Sequence, residues 1–122
     1  MDELVERLAL KAGLEKAVAG KTIGIILGFL RSEGPPDQVQ ALIDTIPGAE
    51  AAIDSAGATR GGIGRLMGGG VMALGAKLMG LGLGVADIQN VARELFKFGR
   101  DKIGADQMSA IISGTPGLRQ FT

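Results

Sequence analysis

Apolar residues recur along this chain at intervals of three and four, the spacing that lines one side of an α-helix. Leu4, Val5, Leu8 and Ala12 mark a short amphipathic helix over residues 2–12. Ile23, Ile26, Leu27 and Leu30 mark a longer one. It is predicted to end at Gly34-Pro35-Pro36, because the residue before a proline is pushed out of the α region and proline has no amide to donate. Pro36 then suits the first turn of a following helix, with the Asp37 charge beside it complementing the amide dipoles. That helix would bury Val39, Leu42, Ile43 and Ile46 and stop at Pro47-Gly48. Ala49–Ala56 adds a turn or two more, anchored by Ile53. Later in the chain, Ile88, Val91, Ala92, Leu95 and Phe98 form a second long stripe. Gly104 interrupts it, and Met108, Ile111 and Ile112 carry a last short helix closed by Pro116-Gly117.

The second half of this pattern repeats the first. Gly13–Gly48 aligns with Gly82–Gly117 without a gap, giving 11 identical pairs in 36. They include Gly13/Gly82, Leu14/Leu83, Phe29/Phe98, Arg31/Arg100, Asp37/Asp106, Gln38/Gln107, Pro47/Pro116 and Gly48/Gly117. Two unrelated amphipathic helices would share apolar spacing, but not the Gly-Leu opening, the Pro-Gly close and the constant offset. The predicted fold is therefore all-α: one domain over residues 1–122, a compact bundle of six or seven helices. Within it a long-helix/short-helix unit occurs twice, at about 13–48 and 82–117, around a Gly-rich segment at 57–84.

That segment is the unusual stretch. Gly61, Gly68, Gly75 and Gly82 recur every seven residues, with Gly64 between the first two. Seven residues are close to two helical turns, so these glycines would line one side of a helix, with Met67, Val71, Leu74, Leu78 and Leu81 on another. Interior glycine costs a helix roughly 0.5–1 kcal/mol relative to alanine, which close approach of another helix would offset. On this reading bulk at Gly75 would destabilise or dissociate the protein. Three settings fit: a helix packed within the chain, a helix that joins two copies, or one that rests reversibly on a membrane surface. A loop is compatible with each. A spanning helix is disfavoured, since Arg65 and Lys77 bracket the apolar run Leu66–Ala76, well short of the roughly 20 residues a bilayer needs.

Composition narrows the chemistry. There is no Cys and no His among the 122 residues. The commonest metal ligands, the usual base near neutral pH and the Ser-His and Cys-His nucleophile pairs are all missing. The carboxylates stand mostly singly beside Lys or Arg, as in Glu15-Lys16 and Asp101-Lys102. Gly68-Gly69-Gly70 has neither a preceding strand nor the ending of a phosphate loop. We therefore expect no enzyme, catalytic residue, cofactor, metal or small-molecule substrate. Aromatic residues are only 3%, so the core must be aliphatic, which favours close-packed helices over a β-sandwich. Net charge is zero but unevenly spread. Residues 1–59 hold nine acidic and five basic side chains, and residues 60–122 hold four and eight. Such polarity lets one molecule meet the opposite end of another, although two solvated surfaces that merely differ would look the same. The acidic N-terminus lacks the features of an export signal, so the cytoplasm is expected.

Ile46-Pro47-Gly48-Ala49-Glu50 and Thr115-Pro116-Gly117-Leu118-Arg119 each resemble the turn of a helix-hairpin-helix DNA-binding motif. In that motif backbone amides at a helix N-terminus meet a phosphate. The second glycine of the motif is Glu50 in one copy and Arg119 in the other, and Pro-Gly is also an ordinary helix terminator. Anion or nucleic-acid contact would fall to Arg93, Lys97, Arg100, Lys102 and Arg119. Over residues 13–117 the chain is similar to a family of small bacterial helical proteins of unknown function labelled VcgC/VcgE. The likeness lies in Gly13-Leu14, Ile26-Leu27-Gly28-Phe29-Leu30, Ile46-Pro47-Gly48-Ala49 and Gly80-Leu81-Gly82-Leu83. It implies an all-α fold and no activity, cofactor or catalytic residue. The function expected is a structural or interaction protein that self-associates or binds another helical protein through Gly61, Gly64, Gly68, Gly75 and Gly82. A membrane-surface role comes second, and weak nucleic-acid binding by the basic half comes third.

Overall fold

The apolar stripes become the core. Leu4 and Leu8, Ile23, Ile26, Leu27 and Leu30, Val39, Leu42, Ile43 and Ile46, Ile53, Ile88, Val91, Ala92, Leu95 and Phe98, and Met108 and Ile111 are all buried. The computed structural model describes residues 2–56 and 70–115, and among these there are seven helices and no strand. They are α1 (Asp2–Ala12), α2 (Lys16–Glu33), α3 (Pro36–Asp44), α4 (Ala49–Ala56), α5 (Gly70–Gly80), α6 (Val85–Ile103) and α7 (Ala105–Gly114). Pro36 opens α3 with Asp37 in its first turn, as the local sequence requires.

The duplication shows in the helix bounds. α2 and α6 begin 69 residues apart, and so do α3 and α7. Gly13 and Gly82, separated by the same interval, both have positive φ, +69° and +97°, a region costly for any residue with a Cβ. α5 stands before α6 as α1 stands before α2, though outside the register of the repeat: the buried pair Leu74 and Leu78 lies 70 residues beyond Leu4 and Leu8, not 69. Each unit thus has three helices, short, long and short, and α5 is the opening helix of the second unit.

The units exchange these opening helices. α1 packs on α6, the long helix of the other unit, as well as on its own α2; α5 packs chiefly on α2 and only lightly on its own α6. α3 meets both α6 and α7, closing the core between the units. The loop after α2 is pressed against the end of α7. A Cβ on Gly34 would lie 2.6 Å from Thr115 Oγ1 and 2.8 Å from the Leu30 carbonyl, and one on Gly114 would lie 2.9 Å from Pro35 Cδ. Gly99 in α6 is similarly overlaid by Met108 and Leu42.

The Gly-rich segment differs from its expectation. Within the described residues its helix is α5 alone, which runs only to Gly80. Gly82 is not on that helix but forms its C-terminal turn: its amide donates to the Met79 carbonyl at 2.9 Å, and that of Leu83 to Leu78 at 3.4 Å. These bonds, with Leu83 and Leu78 both buried, make a Schellman motif, in which the positive-φ glycine is the structural requirement. Gly75 does sit in the helix, yet among the described residues nothing lies within 4 Å of the place its Cβ would occupy. Among the described residues, therefore, no neighbour packs closely on Gly75. Gly61, Gly64 and Gly68 lie outside the described residues.

Two glycine substitutions should consequently have opposite signs. Gly34→Ala is expected to destabilise by about 1–3 kcal/mol, because backbone blocks the methyl group. Gly75→Ala should stabilise by roughly 0.5–1 kcal/mol through helix propensity alone. Chemical denaturation of the two variants checks both, and equal effects would refute the assignment of their surroundings. In the same assay Leu8→Ala and Leu78→Ala should each cost about 2–5 kcal/mol, as core positions do. A negligible loss at either would mean that the opening helices do not hold the units together.

Candidate functional site

α6 presents the basic residues singled out in the sequence. Arg93, Lys97 and Arg100 are spaced four and three residues apart and so share one side of the helix, and all three are exposed. Beneath them Phe96 is buried at 3% exposure. α7 crosses alongside, and together they form a cleft of about 270 Å³ lined by Arg93, Phe96, Arg100, Met108, Ser109 and Ile112. The floor is aromatic and aliphatic, while the rim carries two guanidinium groups and a hydroxyl. Guanidinium is the cation best suited to carboxylate, since its planar fork can meet both oxygens at once.

The long helix is held firmly in place. At its start the Gly84 amide donates to Asp87 Oδ2 at 3.1 Å, satisfying one free helix donor. On another side Glu94, buried to 8% exposure, accepts a hydrogen bond from Arg7 Nε of α1 at 3.2 Å. Lys97 Nζ lies 3.9 Å from the other Glu94 oxygen, so its charge is partly answered. Arg93 and Arg100 have no ion-pair partner among the described residues. Lys102 stands apart from them, its Nζ 5.1 Å from the centre of the Phe98 ring, in cation–π range. Arg119 lies outside the described residues. Of the five cations expected to work together, the structure brings three to one face and turns Lys102 to another use.

The first unit shows what the same face does when covered. At the positions equivalent to Arg93, Lys97 and Arg100 it has Gly24, Gly28 and Arg31. There α4 lies against α2 in the most extensive helix contact among the described residues. Gly24 is buried, and Ile53 Cγ2 comes within 3.5 Å of the Cβ position of Gly28. Arg31 Nη1 donates to Glu50 Oε1 at 3.3 Å.

This arrangement also explains the Ile46–Glu50 turn. The Ala49 amide donates to the Ile46 carbonyl at 3.0 Å, and the Glu50 carboxylate is engaged by Arg31. That amide and that carboxylate are thus engaged at the corner between α3 and α4. The second such turn begins at Thr115, whose hydroxyl donates to the Ile111 carbonyl at 2.6 Å, and continues beyond the described residues.

Among the described residues no three acidic side chains gather to hold a metal, and no helix is long and apolar enough to cross a membrane. No protein-family model, curated protein or solved structure matches the chain. Sequence reasoning missed the part played by α4 and the apolar floor between α6 and α7. The available signal was the replacement of Gly24 and Gly28 by Arg93 and Lys97 at matched positions, beside the retained Arg31/Arg100 pair.

The Arg7–Glu94 pair makes a definite demand. Arg7→Ala and Glu94→Ala should each destabilise by about 1–3 kcal/mol, and a double-mutant cycle should return a coupling of roughly 1 kcal/mol. Additive losses would mean that α1 is held on α6 by its leucines alone.

Proposed function

We propose that this chain is a non-catalytic helical interaction protein that self-associates, acting in the cytoplasm. The observation that carries the reading is a side of α5 that no described residue covers. Nothing among the described residues lies within 4 Å of the Cβ position of Gly75, and one turn further Met79 is 52% exposed. Helices that expose small residues beside apolar ones can approach one another closely. Leu74 and Leu78 are used in the core, so the two sides of α5 have separate tasks. The excess of acid in residues 1–59 and of base in residues 60–122 favours an approach in which unlike ends meet. The absence of His and Cys from the sequence supports the non-catalytic part.

Sedimentation velocity across a concentration series tests this. The native protein should associate, more weakly as salt rises. Gly75→Leu should not lower the melting temperature, because leucine is the better helix former and its side chain enters open space among the described residues, yet it should shift the population toward monomer. A native protein that stays monomeric at millimolar concentration would overturn self-association, and a Gly75→Leu variant that associates normally would remove α5 from the interface.

A further inference from the structure

The two units differ most at one place. In the first, the groove beside α2 is filled by α4; in the second, the matching groove between α6 and α7 is the cleft lined by Arg93, Phe96 and Arg100. We infer that this cleft is a docking groove for a short, acidic, amphipathic helix of a partner protein, bound as α4 is bound to the first unit. The inference rests on reading the chain as an interaction protein, but not on its self-association.

The first unit supplies the geometry. Glu50 pairs with Arg31, and Ile53 reaches Gly28, so residue numbers rise along α4 as they fall along α2. The two helices are antiparallel. Transferred to α6, a partner acid at the position of Glu50 would meet Arg100, which is identical to Arg31 in the repeat. The residue three further on, where α4 has Ile53, would lie against the aliphatic stem of Lys97, the counterpart of Gly28. The residue seven on would face Arg93, one further two-turn interval along α6. The partner is thus a helix with carboxylates seven residues apart and an apolar residue between them.

Charge decides against the obvious internal occupants. The chain's own residue at the repeat position of Glu50 is Arg119, which would oppose Arg100 with like charge. A second copy's α4 is already committed to α2, where Ala49 and Ile53 are 1% and 5% exposed, and would have to leave that seat. Replacement of Gly24 and Gly28 by Arg93 and Lys97 favours acids over the alanine-rich surface of α4, because long cationic side chains can swing aside while keeping their heads at a carboxylate.

The natural probe is the α4 segment itself, a synthetic peptide of residues 47–57, titrated into the isotope-labelled full chain and followed by amide NMR shifts. Saturable shifts are expected at Phe96, Arg100, Ser109 and Ile112. A peptide carrying Gly57→Asp, with acids at both i and i+7, should bind several-fold more tightly. Arg100→Glu in the protein should weaken binding by about tenfold or more, and Glu50→Arg in the peptide should recover it, as close interfacial charge pairs do. Because Arg100 is exposed, circular dichroism of that variant should be unchanged. Three results would overturn the proposal: no saturable shift; shifts confined to Gly28 and Arg31, where the peptide would merely displace α4; or groove shifts that appear on concentrating the protein without peptide, which would make a second copy the occupant. Monomeric sedimentation alongside saturable groove binding would leave this inference standing and remove only self-association.

Discussion

The fold depends on the opening helices being shared between the two units. A long helix with one short neighbour cannot bury a stripe of five or six apolar residues. Sheltering it takes further helices, and the molecule draws part of that cover from the other half of the chain. Leu4 and Leu8 of α1 are fully buried with α1 lying on both α2 and α6, and Leu74 and Leu78 of α5 are buried with α5 lying chiefly on α2. Neither unit is complete without the other, so the duplicated chain should fold cooperatively as one body. The Arg7–Glu94 pair reinforces the same joint on the α1 side, where a buried carboxylate needs its cation.

Glycine is used in this chain for three physically different purposes. Gly82 and Gly13 supply positive φ where a helix must end abruptly. Gly34, Gly99 and Gly114 yield space to an approaching neighbour. Gly75 does neither among the described residues, and so carries the helix penalty of glycine without compensation from them. An unrewarded glycine in the middle of a helix asks for a reason beyond the fold, which is why the uncovered side of α5 weighs in the functional reading and the turn glycines do not.

The central stripes of the long helices were legible in the sequence, because three-and-four spacing reports which side of a helix is dry; Ala19, Thr22, Gly24, Glu94, Phe96 and Gly99 are buried beside those stripes and were not. Ile112 is the mild departure: it belongs to the stripe of α7 by spacing but is only half-buried, since it borders the open cleft. The breaks at Gly34-Pro35 and Gly104 were legible for covalent reasons. What spacing could not report was which helix lies on which. Nothing local in α1 indicates α6 as its neighbour, and a seven-residue glycine period fits a close-packed stripe as well as it fits a turn plus an exposed helix. Gly75 and Gly82 look equivalent in the sequence, while φ and surroundings separate them. The basic residues were similarly ambiguous: spacing places Arg93, Lys97 and Arg100 together, but only the ring of Phe98 accounts for Lys102.

The divergence between the units bears on function more than their likeness does. After duplication both long helices inherit the same buried side, retained in Phe29/Phe98 and Ile26/Leu95, so that side reports packing. The side that seats α4 in the first unit has changed in kind, from two glycines to an arginine and a lysine, while the arginine that anchors Glu50 persists as Arg100. A surface freed of any neighbour would gain solubility from charge of either sign. Here Gly24 and Gly28 become Arg93 and Lys97, above Phe96 and Met108, which stay buried. Cations along an exposed helix side make a good complement to a helix edged with carboxylates. The acidic edge that the first unit built into its own α4 is the feature that the second unit's groove is shaped to receive from outside.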